Sequence, residues 1–352
     1  MLIGFIFFNG CGVKSPTNYS FFDVRSFKDG TDKYAEFVGE FDLKDEDITV
    51  KTPELSELSS TQFGDLFYQV SSGETQRFFI KTNQNSVFSW ESLDQTPKKL
   101  NLTRSYPFGL VIGQSKEYVY FYNSPSKGRD FCKYSTLTGE SDLIQLIDYR
   151  IIQLIELPLS TPKYLTCGVK QKGESQVLGF HLMSSDGNIV ETLHSIPLDY
   201  EPNGDPSLYG GGFYQYNDKV IFMFDNRSGI FVFDETGVFL KEINTVDKFN
   251  FMHKSNDNYS PIFEGLYKEA IFLDNHIFIR TNILSSKNKY ILFDSYSLSN
   301  GEYEGSFRVY FKDLDLDKYS TPIWTHWEEE EFVFLFGTGY KSGEYSKFKI
   351  VF

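Results

Sequence analysis

Alanine is nearly missing from this chain: Ala35 and Ala270 are the only two among 352 residues. Alanine is the best helix former, so a predominantly helical protein is excluded. Cysteine is scarce as well, with only Cys11, Cys132 and Cys167 and no CxxC pair. A disulfide framework and a cysteine-rich zinc site are both ruled out by that count. No apolar run approaches the roughly 20 residues that a membrane-spanning helix needs. Basic residues are in deficit, 34 Lys and Arg against 48 Asp and Glu, giving a formal charge of −14. That balance speaks against nucleic acid, whose binding needs clustered cations to displace counterions from phosphates. It equally disfavours an anionic membrane surface engaged through a basic patch.

Aromatic residues are what the chain does have: 36 Phe and 23 Tyr. Such residues favour a pleated, half-buried surface. With 23% charged and 40% hydrophobic residues, the composition is that of an ordinary globular chain, not of a disordered acidic tail.

The first residues, Leu2-Ile3-Gly4-Phe5-Ile6-Phe7-Phe8 followed by Asn9-Gly10-Cys11, resemble the end of a bacterial lipoprotein signal. Gly10 fits the small residue that precedes the lipidated cysteine. Asn9 departs from the usual pattern, and no basic segment precedes the apolar run. The resemblance implies that residues 1–11 are a partial signal and that Cys11 is the lipidation site. Residues 12–32, polar and containing Pro16, then read as a tether. A single domain is expected over 33–352. Gly12, Val13 and Lys14 lack the acidic run of surface-exported lipoproteins, which favours the periplasmic face of the envelope. Membrane contact is expected only through the lipid. Cys132 and Cys167 sit in strand-like runs and are read as small buried hydrophobes. One disulfide between them, in an oxidising periplasm, is the open alternative.

A strand repeat organises the rest. Lys219–Phe224, Gly229–Asp234 and Val238–Ile243 form three short apolar runs separated by turn residues, with Gly211–Tyr216 supplying a fourth strand upstream. Four such strands make one propeller blade. The turn before the outermost strand recurs at Gly139, Gly187, Gly237 and Gly301, with a glycine-free version at Gln95, at spacings of 44, 48, 50 and 64 residues. These bracket the roughly 40–50-residue periods of known propeller repeats. The chain stops at Phe348–Phe352, a third-strand segment, and a strand at about 34–43 has no blade before it. Joining the two completes a last blade and leaves no long unpaired edge. The expected fold is therefore all-β, a six-bladed β-propeller of four-stranded antiparallel blades; a β-sandwich is the competing architecture.

With the Ile230-Phe231-Val232-Phe233-Asp234-x-x-Gly237 phrase, the aromatic-rich acidic ring and the lipoprotein-like start, the sequence resembles the six-bladed propeller lipoproteins of Bacteroidetes, in the grouping with TolB-like and NHL-like propellers. The resemblance implies a fold and a place in the cell envelope. It carries over no catalytic residue.

Motifs for chemistry are sparse. The chain has no GxSxG, HExxH, Walker loop or GxGxxG. Gly210-Gly211-Gly212 precedes a strand and reads as a bend near a crowded axis. Asp313, Asp315 and Asp317 have the spacing of a calcium loop, but Lys318 replaces its glycine and Trp324 its final carboxylate. Five scattered His lack metal-ligand spacing, so neither a metal nor another cofactor is expected. Glu328 to Glu331 read as a hairpin joining two strands. The candidate ligand-binding residues are Trp324, His326 and Trp327, with Tyr209 beside the glycine run. Two indoles and an imidazole within four residues suit stacking on a sugar or aromatic ring. The alternative is that they fill the seam between blades. The expectation is a monomeric, non-catalytic module that binds a small molecule, a glycan or an envelope protein. The competing reading is a polysaccharide hydrolase or lyase, which needs two facing carboxylates. The stretches 123–130, 200–208 and 247–262 are the candidate docking loops of a purely structural platform.

Overall fold

A computed structural model describes the strands between Phe37 and Val351, and side chains within residues 111–198, 208–245, 270–280 and 293–305. Every regular element among the described residues is a strand. After β1 (Phe37–Lys51), the first sheet holds β2 (Phe67–Ser72), β3 (Thr75–Lys81), β4 (Val87–Trp90) and β5 (Lys98–Lys99). The second holds β6 (Phe108–Gln114), β7 (Tyr118–Asn123), β8 (Asp130–Ser135) and β9 (Ser141–Gln145). The third runs β10 (Tyr149–Glu156), β11 (Lys163–Lys172), β12 (Ser175–Ser184), β13 (Ile189–Ser195). The fourth runs β14 (Gly211–Tyr216), β15 (Lys219–Phe224), β16 (Ile230–Asp234), β17 (Phe239–Ile243). Each of the four is an antiparallel meander in chain order, as the repeat predicts. Next come a ribbon of β18 (Met252–Ser255) and β19 (Asn258–Pro261), so the stretch 247–262 contains a hairpin and is not a plain loop.

The remaining strands are β20 (Tyr267–Leu273), β21 (His276–Ser285), β22 (Tyr290–Ser297), β23 (Tyr303–Tyr310), β24 (Trp324–Glu328), β25 (Glu331–Gly337) and β26 (Glu344–Val351). They join β1 in one sheet of order β20-β21-β22-β23-β1-β26-β25-β24. Here β1 is longer than the strand at 34–43 read from the sequence. Its residues 42–51 pair antiparallel with β26, and its residues 37–42 run parallel to β23. Glu328 and Glu331 face each other at the β24–β25 hairpin.

The apolar runs are continuous because the strands are covered on both faces. Along β15, Val220, Phe222 and Phe224 enter a cluster with the third sheet, while Ile221 and Met223 enter one with β21 and β22. In β16 the split repeats: Phe231 and Phe233 go one way, Ile230 and Val232 the other. A third cluster joins the second and third sheets through Tyr120, Phe131, Tyr149, Ile151, Tyr164 and Met183. At the centre of the seam between the third and fourth sheets, Phe180 lies 4.9 to 6.3 Å from the rings of Phe213, Phe222, Phe224, Phe231 and Phe233. Cys132 and Cys167 are free, buried thiols, as their strand setting suggests.

Turn chemistry fixes the meanders. Asn217, at φ 53°, supports the two-residue hairpin between β14 and β15. The recurring turn before each outer strand places Gly139, Gly187, Gly237 and Gly301 at φ 76–90°. At Gly187 a Cβ would also come within 2.8 Å of the Gln145 carbonyl and of Ile144, so the turn of the third sheet rests directly on the outer strand of the second. Asp234 shows how such a turn is held: its Oδ1 accepts from the amides of Thr236 and Val238, both 2.9 Å, and from the Thr236 hydroxyl, 2.7 Å. Burial raises its pKa, but those bonds outweigh it and leave the carboxyl below its usual value.

Candidate functional site

Two groups of polar side chains stand out against this aromatic core. The first is enclosed. On the face of the third sheet turned to the second, the Thr166 hydroxyl donates to the His181 carbonyl at 3.1 Å. With its single hydrogen so used, Thr166 accepts from the Tyr149 hydroxyl at 2.8 Å. The Tyr149 and His181 rings meet edge to face at 5.1 Å. Gly168 is required beneath them, since a Cβ there would collide with the Tyr149 hydroxyl and the Arg150 carbonyl. Burial raises the Tyr149 pKa and lowers that of His181. The Tyr149, Thr166 and His181 side chains are buried, and their contacts tie β10, β11 and β12 of the third sheet to one another.

The second group opens at the edge of the seam between the third and fourth sheets. The loop after β15 carries Arg227, whose Nη1 donates to the Ser228 carbonyl at 2.9 Å and to Glu242 Oε1 on β17 at 3.1 Å. Its guanidinium carbon sits 5.1 Å over the Phe231 ring. Also beside that ring, His194 of β13 stacks on Phe239 at 4.2 Å and tilts toward Phe231 at 5.7 Å. Burial, reinforced by the Arg227 charge, lowers the His194 pKa; the Glu242 carboxylate opposes both. The imidazole is thus neutral at pH 7. Arg227, His194 and Glu242 present a cation, a neutral ring and a carboxylate at a partly open edge. That array suits recognition; none of its members is a nucleophile activated by a neighbouring base.

This edge continues as a rim. β9, β13 and β17 each close their sheet, and Leu143, Val190 and Leu240 on them are exposed. Lys241 of β17 donates to the carbonyls of Leu298 and Ser299, both 2.7 Å, and so ties the rim to the turn after β22.

Of the residues singled out from the sequence, Tyr209 lies fully buried in the cluster between the third and fourth sheets. It lines no mouth: the preceding Leu208 carbonyl is pinned by Asn226 Nδ2 at 2.7 Å, which draws this segment inward. Trp324, His326 and Trp327 lie on β24, the first strand of its meander and a neighbour of β20. They are on a different sheet from β14, the strand that Tyr209 precedes, and their side chains lie outside the described residues. Cys11 and the Asp313–Asp317 run lie outside them too. The rim was missed in the sequence, although the signal exists. The third and fourth positions after the turn glycine read Asp142-Leu143, Val190-Glu191 and Leu240-Lys241, one apolar residue beside one charge each time.

No family model matches the chain, and no curated protein matches its sequence. Among solved structures it is similar to a member of the DUF4221 family from Bacteroides vulgatus. The identity is 12% over 89% of this chain and 99% of that one, with a TM-score of 0.52. It is also similar to a protein from Bacteroides fragilis named as exported (10% identity, 88% and 95% covered, TM-score 0.48). A third is a subtype N11 neuraminidase-like protein of the flat-faced bat isolate H18N11 (12% identity, 90% and 96% covered, TM-score 0.44). The successive four-stranded antiparallel meanders described above, packed face to face in chain order, make the fold β-propeller-like.

Proposed function

We infer that the chain is a six-bladed propeller anchored in the bacterial envelope through Cys11, acting as a non-catalytic interaction module. The six-blade reading is supported by the order of neighbouring first strands, β2 with β6, β6 with β10, β10 with β14, β14 with β20 and β20 with β24. It is supported further by the pairing of β1 with β26, which gives β24, β25 and β26 a fourth strand. The strands β2 and β14 also neighbour each other, which favours a filled axis over an open channel.

One observation carries the functional reading. The partly open Arg227, His194 and Glu242 group adjoins outer strands whose apolar side chains face solvent, so the accessible chemistry lies on the rim. Exposed apolar side chains that recur on the outer strands of three successive sheets are the contact points this reading uses.

The test is a photo-crosslinking amino acid at position 190 or 240 in cells, with position 217 in an inner hairpin as control. A discrete adduct at the two rim positions alone is the expected result; equal labelling at 217, or none anywhere, overturns the reading. The anchor is tested separately by expressing a longer reading frame and its Cys11→Ser variant, which should move from the membrane fraction to the soluble one.

A further inference from the structure

The ligand class can be named from Arg227, on the premise that the chain is an interaction module. A guanidinium carries five N–H donors, and the parallel pair on Nε and Nη2 forms a fork that matches the two oxygens of a carboxylate. In this protein Nη1 makes both hydrogen bonds that Arg227 forms, to the Ser228 carbonyl at 2.9 Å and to Glu242 Oε1 at 3.1 Å. Among the described residues, neither Nε nor Nη2 meets an acceptor, and neither is sealed away from the surface. An ion pair formed only to neutralise charge would be strongest through the fork. Glu242 takes one bond on Nη1 instead and leaves the two parallel donors open.

The head group is held before any ligand arrives. Its carbon lies 5.1 Å over the Phe231 ring, which covers one of its faces. The loop that carries it turns at Gly229, at φ 109°, where a Cβ would strike Glu242 Oε1 and come within 3.1 Å of Nη1. The Gly229 amide is itself tied to Thr245 Oγ1 at 3.3 Å. A cation fixed in this way loses little freedom on binding. Local charge then selects the ligand. Arg227 and Glu242 cancel, and His194, within reach of both charges, is neutral. A monoanion suits that balance, whereas a phosphate dianion would set a second negative charge against Glu242. The net charge of −14 disfavours polyanions further.

We propose that the Nε and Nη2 donors of Arg227, held over Phe231 at the edge of the seam between the third and fourth sheets, bind the carboxylate of a monoanionic ligand, either a free small acid or an acidic side chain of a partner protein.

The probes are benzoate, as a free acid, and an end-blocked Gly-Glu-Gly tripeptide, as a side chain, titrated into the whole protein. Proton NMR follows the His194 imidazole, assigned by the signal that His194→Phe removes. Arg227 and Glu242 are the charges that act on this ring, so an anion on the fork should offset Arg227 and raise the His194 pKa. Expected are a saturable change at His194 that spares His276, and binding weakened on the order of tenfold by Arg227→Lys, which keeps the charge and loses the fork. Arg129→Lys, on the second sheet, should change nothing. Benzamide, of the same shape without the charge, should not bind. The tighter of the two carboxylate probes identifies the source, and either one binding through Arg227 supports the site. Equal binding of benzamide, tighter binding of phenylphosphonate, or full affinity in Arg227→Lys overturns the proposal. An equal change at His276 overturns the location, and this readout in the parent protein stands even if Arg227→Lys does not fold. No binding of either carboxylate alongside specific crosslinking at 190 or 240 rejects the carboxylate alone; loss of both rejects the interaction module itself.

Discussion

His181 and Thr192 face each other across paired strands β12 and β13, with the imidazole Nδ1 3.1 Å from the threonine hydroxyl oxygen. Burial depresses the His181 pKa to about 4, the Lys170 charge adds to the effect, and the nearby Gly168 carbonyl offsets part of it. The other ring nitrogen, Nε2, is buried without a hydrogen bond. The unfolded chain takes up this proton near pH 6.5, while the folded chain refuses it until about pH 4. The contribution to stability is therefore complete above pH 6.5 and lost as pH falls toward 4, by roughly 3 kcal/mol at full extent. Urea unfolding between pH 7.5 and 4.5 should show this slope in the parent, and a shallower one in His181→Gln.

Phe180 is the ring on which five others converge, so its truncation should be among the costliest in the chain. Phe180→Ala is expected to lower stability by about 3–5 kcal/mol and Phe180→Leu by about half as much, read from denaturant midpoints at constant m.

At Gly187 two demands coincide, a left-handed backbone and a neighbour's carbonyl at Cβ distance. Gly187→Ala should cost about 1–3 kcal/mol through strain and overpacking. Gly173→Ala, at φ 62° with open space around it, should cost only about 1 kcal/mol and serves as the comparison.

The pairing of Leu43 with Ile350 predicts a covalent closure. In a background lacking other thiols, Leu43→Cys with Ile350→Cys should oxidise to a disulfide that links the two ends of the domain, visible as a faster-migrating species on a non-reducing gel. Directly opposed Cβ atoms lie about 4.5–5.5 Å apart, within reach after small adjustment. Leu43→Cys with Lys347→Cys, three residues out of register, should oxidise far less.

Both native thiols are enclosed, and burial pushes Cys132 up to about 11, with Cys167 raised as well. In the Cys11→Ser protein, a thiol-reactive dye should label neither residue at pH 8 until denaturant is added.

The meanders were legible because the turn glycines recur and because β15 and β16, apolar at every position but the terminal Lys219 and Asp234, announce burial on both sides. Free cysteines followed from the same strand pattern. The candidate site was not legible. Tyr209 carried the right chemistry beside a flexible glycine run, but Asn226, far along the chain, draws its segment into the core. Arg227 and Glu242, 15 residues apart, become partners only when the loop after β15 folds over Phe231. No local period encodes that. Exposure on the rim depends on which strand ends the sheet, and the residues of β13 alone do not reveal it.

Phe231 and Val232 are consecutive in sequence yet belong to different cores. Each sheet is thus a party wall, shared by the rooms on either side. A blade removed from the middle would strip insulation from both neighbours at once, so shortening or duplicating this molecule should succeed only in units that carry both half-cores along. Melting in a single step is the behaviour expected of walls shared in this way.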